Sequence, residues 1–347
     1  RAALTNQISF PAKVSGGSLI QDSNYTAARE KLVNCFNLAF GAFYLDYPSV
    51  FWMNRMGLSY GIGYNYSTKR AYITSIVFQP GEEYYEGASG QVASYDAAVK
   101  AAKGTIEERM AEAGLDSENR YHQVKAIHEY LCDKLTYDHE AGNDLYGKDY
   151  GYAHTSSTAF LGYNGEYKVV CEGYAKAFKV LCEQWDIPCI LVIGQGGTPG
   201  SQGPHMWNYV QMEDGLWYGM DATWDDQELS TGARDEYFLA GSNTPGFVSN
   251  DGKRYTFIEE HVPDMQITTG APHPFVYPEL EQEKYEPGYR GSVREDADGK
   301  WLEISEIAAE KELSLTDIQS FLQKNRHQAP FDGISIVWSD GVGAENR

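Results

Sequence analysis

The clearest hydrophobic pattern in the chain runs from Cys171 to Trp185, where apolar residues recur at every third or fourth position. This spacing places them on one face of a helix. Other apolar residues fall on the opposite face, which predicts a helix enclosed by the rest of the protein. Pro188 should stop the helix, and the apolar run CILVIG that follows predicts a buried strand.

Three further segments carry helical patterns, and two carry the alternation of strands. The predicted helices are SNYTAAREKLVNCFNLAF with Ser23 or Asn24 as its N-cap, SYDAAVKAAKGTIEERMAEAG ending at Gly114, and SENRYHQVKAIHEYLCDKL. The predicted strands are LSYGIGYNY and AYITSIVFQ. Residues 136–167 predict a polar loop, the Gly-rich GQGGTPGSQGP predicts another, and residues 230–285 are loop-rich.

The segment HMWNYVQMEDGLWYGMDATW predicts a β-hairpin. Two types of turn are possible, and each gives a different register. A two-residue turn at the Asp-Gly pair would put His205 and Asp221 on opposite faces of the sheet. A three-residue loop with Gly215 in the left-handed conformation pairs Met212 with Leu216 and brings His205 and Asp221 onto one face. The second register also separates the apolar positions from the polar and aromatic ones, so we prefer it.

The chain divides by character into three parts, and the predicted fold class is α+β. Residues 1–89 form an N-terminal helix and strand region packed on the core, residues 90–285 form the core, and residues 286–347 form a small strand–helix–strand extension. The extension is predicted from the segments KWLEISEIA, SLTDIQSFLQKN and GISIVWSDG. No apolar run of the sequence approaches the roughly 20 residues that a membrane-spanning helix needs.

Charge and composition restrict the partners. The chain carries 28 Lys and Arg against 49 Asp and Glu, a net charge of −21, which disfavours nucleic acids and anionic membrane surfaces. Its 26 Tyr residues are typical either of a polymer-binding surface or of the general composition of secreted proteins. The sequence begins at RAALTNQISF without an apolar signal core, so we expect an extracellular or cell-surface protein whose signal or anchor has been removed.

One of the five cysteines is a candidate for a reactive thiol. An odd number leaves at least one thiol unpaired, and no pair has the spacing of a zinc site or a redox motif, so we expect neither a metal nor another cofactor. Cys171 stands at the predicted first turn of its helix, where the positive end of the helix dipole stabilises a thiolate. With His205 to accept the thiol proton and Asp221 to orient the ring, the chain contains the parts of an activated nucleophile.

Three motifs extend this picture: VVCEGYAKAFKVLCEQWDIPC, HMWNYV and WYGMDATWDD. They resemble the transglutaminase-like core of bacterial proteins, a relative of papain-type thiol peptidases, and the resemblance covers roughly residues 90–285. It implies an α+β fold in which a cluster of helices, including the nucleophile helix, packs on an antiparallel sheet. It also implies that Cys171 is the nucleophile, His205 the base and Asp221 the residue that orients the base.

Other side chains near these motifs have two interpretations. Four are candidates to line the substrate cleft: Trp207, Trp217, Trp224 and Glu172. Core packing is the alternative for the tryptophans, and Glu172 as an exposed carboxylate would only stabilise the helix start. The rest are predicted to be structural, with Cys182 and Cys189 in the core, His139 and His154 at the surface, His122 and His128 structural or solvated, and Asn208 and Asp225 supporting the hairpin.

The leading functional hypothesis is an enzyme that transfers or hydrolyses the acyl group of an amide through a Cys171 thioester. Hydrolysis of peptide or cell-wall peptide amides is favoured, because a transferase needs a site that prefers an amine to water. The alternatives are a protein-glutamine cross-linking transferase and a non-catalytic binding or scaffold module of the same fold. Glycan binding by the Tyr-rich surface is compatible with each of them.

Overall fold

The computed structural model describes residues 9–53, 57–79, 88–143, 150–226, 235–244, 260–263, 277–307, 313–337 and 344–346. Its first part is a helix beside a small sheet. The elements are β1 (Ser9–Pro11), β2 (Val14–Ser15), β3 (Ser18–Leu19), α1 (Ser23–Asp46), a 3-10 turn (Phe51–Met53), β4 (Gly57–Asn65) and β5 (Arg70–Gln79). The sheet has the order β1-β5-β4, and the antiparallel pair β4–β5 confirms the two predicted strands.

The N-cap of α1 is Asp22, not the predicted Ser23 or Asn24. The Asp22 carboxylate accepts hydrogen bonds from the backbone N–H groups of Asn24 and Tyr25, at 3.1 and 3.2 Å. A carboxylate at this position also interacts favourably with the positive end of the helix dipole, which a serine hydroxyl does not. The charge therefore explains why the helix begins directly after the acid.

The helical layer of the core surrounds one central helix. Its elements are α2 (Ala88–Glu112), α3 (Arg120–Lys134), β6 (Thr136–Tyr137), α4 (His139–Asn143), α5 (Tyr150–Ala153), α6 (Ser156–Leu161), β7 (Lys168–Val169) and α7 (Cys171–Glu183). Helix α7 packs against α2, α3 and α6. Every residue from Gly173 to Phe178 is buried, so the predicted enclosure of this helix is confirmed.

Residues 136–167 are not the loop that their polar composition predicts, because β6, α4, α5 and α6 lie within them. The hydroxyl of Ser156 shows how a polar segment is buried. It donates to the Pro48 carbonyl at 2.7 Å and accepts from the Tyr95 hydroxyl at 3.0 Å. Buried hydroxyl groups with such partners cost little, and the partners come from segments distant in sequence.

An antiparallel sheet forms the other layer of the core. Its strands are β8 (Cys189–Thr198), β9 (Ser201–Gln211), β10 (Trp217–Met220) and β11 (Glu260–Pro263), in the order β10-β9-β8-β11, and the short helix α8 (Ala222–Asp225) follows β10. Helix α7 packs on β8 and β9. Asn208 supports this contact as predicted, because its side-chain amide donates to the Ala175 carbonyl at 3.0 Å. Helices packed against an antiparallel sheet confirm the α+β fold class.

The Gly-rich segment 194–204 is part of this sheet, so the loop predicted there is wrong. Strand β8 continues to Thr198 and β9 begins at Ser201, and the two remain paired over their length. One of the glycines is required by close approach, since a Cβ on Gly194 would lie 2.1 Å from the Val262 carbonyl oxygen of β11. Glycine indicates a loop in a sequence, but here it lets two backbones pack closely.

The hairpin of β9 and β10 has the preferred register. Trp217 pairs with Gln211, and the Met212 N–H donates to the Leu216 carbonyl at 3.0 Å. Gly215 has a φ of +75°, which is the left-handed conformation that the three-residue loop needs. The two-residue turn is therefore excluded.

The C-terminal residues form a separate sheet. Its elements are β12 (Gly288–Asp296), β13 (Gly299–Ile307), α9 (Leu315–Lys324), a 3-10 turn (Arg326–Gln328), β14 (Gly333–Val337) and β15 (Ala344–Asn346). The strand order is β12-β13-β14-β15, with β13 and β14 parallel, as a connection through a helix allows. The predicted strand–helix–strand unit is present, and β12 and β15 add a strand at each edge.

The long helices α1 and α2 both contain charged residues among their apolar ones. Across the described ranges, no helix combines the length and the apolar character needed to cross a bilayer. The absence of a membrane span, expected from the sequence, therefore holds for the described part of the chain.

Candidate active site

Cys171 is the first residue of α7 and is partly exposed. The N-cap of this helix is Val170, whose side chain makes no capping hydrogen bond. Serine or aspartate is usual at such a position, because its side-chain oxygen accepts from the first backbone N–H groups. The apolar cap leaves the positive end of the helix dipole to act on the Cys171 sulfur, and that field stabilises a thiolate.

His205 lies on β9, and Asp221 directly follows β10 on the same face of the hairpin. The Nε2 atom of His205 is 2.6 Å from Oδ2 of Asp221, and both side chains are buried. The expected hydrogen bond between neighbouring strands is therefore present. The other ring nitrogen, Nδ1, is then the one left for the Cys171 thiol, whose charge acts on the same ring.

The charges of these three groups are coupled. Burial opposes a charged imidazole, but the Asp221 carboxylate and the Cys171 sulfur outweigh it and raise the pKa of His205 to about 10. Burial also opposes ionisation of Asp221, yet His205 and His261 hold the pKa of that carboxyl well below its usual range. At neutral pH His205 therefore holds its proton firmly.

His261 is a fourth member of this set, and no pattern in the sequence predicts it. Its Nε2 atom lies 2.7 Å from the same Asp221 oxygen, Oδ2, that accepts from His205. It belongs to β11, a strand of 4 residues inside the region predicted to be loop-rich. The letters EHVP are too few to show the alternation of a strand, so the residue type itself was the available signal.

Aromatic rings enclose the His205 imidazole. It stacks on Trp224 at 5.0 Å and on Trp207 at 5.9 Å between ring centroids. Trp207 is fully buried, whereas Trp224 is partly exposed and covers the ring from the solvent side. Two of the three predicted cleft tryptophans, Trp207 and Trp224, therefore contact the candidate base.

Trp217 lies elsewhere in the sheet. It pairs with Gln211, six positions along β9 from His205, which corresponds to about 20 Å in an extended strand. Its ring packs against a cluster of buried residues that includes Leu280. This placement does not support Trp217 as a cleft residue, and core packing, the alternative interpretation, accounts for it.

Gly196 of β8 leaves the space that the His205 ring occupies. A Cβ on Gly196 would lie 2.9 Å from Cδ2 of His205 and 3.0 Å from its Cβ and Cγ atoms. These distances are shorter than van der Waals contact, so a side chain at this position would displace the ring from Asp221.

We expect Gly196→Ala to slow alkylation of Cys171 by iodoacetamide about tenfold, because a displaced imidazole no longer holds the thiol proton in place. Gly203→Ala is the matched control: Gly203 pairs with Gly196 across the hairpin, and a Cβ there meets nothing within 4 Å. The rates are measured by mass spectrometry of the labelled protein and the folded state by Tm. Equal rates in the two variants would contradict the prediction.

Glu172, the residue after Cys171, is held in a cluster of charges and is not the exposed carboxylate of the alternative interpretation. Its side chain is 17% exposed. It accepts from His154 Nδ1 at 2.6 Å, from Lys176 Nζ at 2.8 Å and from the Tyr44 hydroxyl of α1. Burial alone would raise the pKa of Glu172, but Lys176 and His154 lower it to about 2.

This cluster shows that the predicted surface position of His154 is wrong, and it also connects α1 to α7. His154 was expected at the surface, and it is instead largely buried because Glu172 supplies an ionic partner. Lys176 also donates to Tyr44 and to the His154 carbonyl, the latter at 3.0 Å. The three partners of Glu172 leave it little freedom to meet a substrate, so we assign it to holding α1 against the nucleophile helix.

A second Cys–His–Asp set lies next to the first, on α3 and α8. His128 Nε2 is 2.9 Å from Asp225 Oδ2 and 3.8 Å from the Cys132 sulfur. One ring nitrogen thus faces both partners. Burial raises the pKa of the Cys132 thiol far above its ordinary value, and nearby carboxylates add to this effect. This set is therefore structural, in line with the predictions for His128 and Asp225.

Tyr137 is another neighbour of the site that no sequence motif predicts. It lies on β6 and pairs with Val169, two residues before Cys171. Burial raises its pKa to about 12, and the charges of Cys171 and Asp221 contribute to the shift. As predicted, Cys182 and Cys189 are buried and His139 is exposed, and His122 is buried, one of its two predicted alternatives.

Among the described residues, His205, Asp221 and His261 bring three potential ligand atoms within 4.8 Å of one another. Two imidazoles and a carboxylate are a donor set that transition metals accept. The two ring nitrogens lie 2.6 and 2.7 Å from a single carboxylate oxygen, however, and this is the geometry of hydrogen bonds. We therefore describe the three residues as a hydrogen-bonded set.

Comparison with known proteins finds a family model that matches the part of the chain containing this site. A family model described as the transglutaminase-like superfamily matches residues 108–222, which contain Cys171, His205 and Asp221. Among curated proteins, no relative matches the chain. One similar solved structure is a TGase, with 19% identity, 58% of this chain and 53% of that chain covered, and a TM-score of 0.35.

A second similar structure is a candidate cysteine protease from Cytophaga hutchinsonii. It has 14% identity and a TM-score of 0.25, with 49% of this chain and 65% of that chain covered. The chain thus spans about half the length of the TGase, at 53%, and just under two thirds of the second protein, at 65%.

Proposed function

We propose that the chain is an enzyme that transfers the acyl group of an amide through a thioester on Cys171, because residues 108–222 match the model of the transglutaminase-like superfamily. The observation that supports this most is the environment of His205, which is hydrogen-bonded to Asp221 through Nε2 and whose pKa is raised by the nearby Cys171 sulfur. Thiol, imidazole and carboxylate in this order are what an activated cysteine nucleophile requires.

In the first half-reaction, His205 holds the proton of the Cys171 thiol, and the sulfur attacks the carbonyl carbon of the amide as a thiolate. The carbonyl electron pair moves to oxygen, and the first backbone N–H groups of α7 stabilise the oxyanion. When the carbonyl forms again, the C–N bond breaks and the leaving amine takes the proton from His205. The products are a Cys171 thioester and a free amine.

In the second half-reaction, His205 takes a proton from the incoming water or amine as that molecule attacks the thioester. The carbon–sulfur bond breaks, and the thiolate recovers its place beside the protonated ring. Throughout both steps Asp221 keeps the imidazole oriented and stabilises its charge.

We favour hydrolysis of peptide amides, including those of cell-wall peptides, in an extracellular setting. Cys171 is partly exposed, so water has access to a thioester formed there, whereas a transferase must exclude water. The net charge of −21 favours neutral or basic peptides over acidic ones. Cross-linking of protein glutamines is the second candidate, and it rests on the family alone.

Incubation with glutamine-containing peptides and a labelled primary amine separates hydrolysis from transfer. We expect cleavage products to form without incorporation of the label, because water reaches the thioester first. The Cys171→Ala protein supplies the background. Label incorporation that outpaces hydrolysis would instead favour the transferase.

A further inference from the structure

We propose that His261 is a positioning residue of this site, which acts through Asp221 and limits how strongly that carboxylate holds the protonated His205. The inference rests on the proposed function, because it assigns a role within the same triad. His261 lies outside residues 108–222, so the family match does not assign it.

His261 reaches Asp221 from β11, the edge strand of the sheet. It pairs with Gly196 of β8, and its side chain is fully buried. The ring lies 4.0 Å from Trp224 and 4.9 Å from Trp207 between centroids. A buried imidazole loses its hydration and needs a polar partner in return, and Asp221 is that partner at 2.7 Å.

The Asp221 carboxylate accepts four hydrogen bonds, two at each oxygen. Oδ1 accepts from the backbone N–H groups of Thr223 and Trp224, at 2.8 and 3.3 Å. Oδ2 accepts from His205 and His261, at 2.6 and 2.7 Å. A carboxylate offers about four lone-pair sites, so this group is saturated, and both rings must carry their proton on Nε2.

Sharing one oxygen weakens the bond to His205. Negative charge on Oδ2 that stabilises the His261 N–H is not available to the His205 N–H, so His205 is less basic than it would be with Asp221 alone. This matters because His205 must take a proton from the thiol and return it to the leaving amine. A group whose pKa lies far above the ambient pH is a slow general acid.

Several ionisable groups face this pair from other elements. Those that sense the charge of Asp221 or His205 are Tyr137 of β6, Cys132 of α3, Asp225 of α8 and Cys171 of α7. The hydrogen bonds that lower the pKa of Asp221 come from His205 and His261. Replacing His261 therefore alters the Asp221–His205 pair and leaves the other groups in place.

Two substitutions separate hydrogen bonding from packing. His261→Phe keeps an aromatic ring and removes the donor, whereas His261→Gln keeps an N–H group near the position of Nε2. We expect His261→Phe to raise the pH at which His205 loses its proton by about one unit, since Asp221 then serves one ring. The Nε2–H proton resonance of His205 should also move downfield, and His261→Gln should leave both values close to those of the wild type.

The charge of His205 can be measured without a substrate. The protonated ring attracts iodoacetate and not the neutral iodoacetamide, so the ratio of their rates with Cys171 falls as His205 loses its proton. The Tm of each variant records any effect on packing. If His261→Phe does not fold, His261→Met takes its place, because methionine adapts to irregular space and also lacks the donor.

Equal midpoints and equal proton spectra in the wild type, His261→Phe and His261→Gln would overturn the proposal, and a change in Tm alone would assign His261 to packing. Failure of the proposed function would look different. In that case Cys171 of the wild-type protein would react no faster than the exposed Cys35, whether or not His205 is present.

Discussion

Replacing Cys171 with alanine should abolish acyl transfer and leave the protein folded. The sulfur is the nucleophile of the proposed reaction, and no neighbouring group can take its place. Its removal costs at most about 1 kcal/mol of stability, because Cys171 is partly exposed at the end of its helix. Amide hydrolysis, alkylation by iodoacetamide and Tm are measured on the same preparation.

Cys182→Ala is the matched control on the same helix. Cys182 is fully buried and lies roughly 16 Å from Cys171 along the helix axis, so it should lose about 1–2 kcal/mol of stability and retain turnover. The opposite result, with Cys171→Ala unfolded and Cys182→Ala inactive, would mean that the nucleophile is Cys182 and not Cys171. If Cys171→Ala changes no measurable activity in any assay, the chain is the non-catalytic module.

Replacing His205 with alanine should slow alkylation of Cys171 by about two orders of magnitude at about pH 6. A cysteine with an ordinary pKa of about 8.5 is ionised in roughly one molecule in three hundred at that pH, whereas a thiol paired with an imidazolium is largely ionised. His139→Ala is the control, because His139 is an exposed histidine outside the site. Similar rates in the two variants would remove His205 from the role of base.

The raised pKa of His205 also predicts how the stability of the fold changes with pH. The pKa of His205 is raised from 6.5 to about 10 in the folded protein, against the effect of burial, by Asp221 and Cys171. A base with a raised pKa stabilises the fold below its unfolded pKa, and this contribution fades as the pH rises through the folded value. The Tm of the wild type should therefore fall more steeply between pH 6.5 and about 10 than that of His205→Ala.

The features that the sequence predicted well depend on neighbours along the chain. Helix α7 was recognised because its apolar residues repeat with the period of a helix, and the structure buries them. The hairpin register followed from the sorting of alternate residues onto two faces, and Gly215 in the left-handed conformation agrees with it. Together these features predicted that His205 and Asp221 would share one face.

The features that were predicted wrongly depend on partners distant in sequence. Polar and Gly-rich segments were assigned to loops, yet Gly194 belongs to a paired strand and Ser156 to a buried helix. A histidine in a polar segment is expected at the surface, but His154 is largely buried against Glu172. In each case the residue type was compatible with a loop or a surface until a second segment packed against it.

By itself the sequence determined the helix that begins at Cys171 and the strand face that carries His205 and Asp221, because helical and strand periods are set by local backbone geometry. Only the tertiary structure decided which groups meet there. His261 bonds Asp221 across 40 positions of sequence, and Tyr44 reaches Glu172 across 128. Hydrogen bonds and ion pairs act over a few ångströms, so periodicity predicts the face on which a side chain lies but not the group that packing places opposite it.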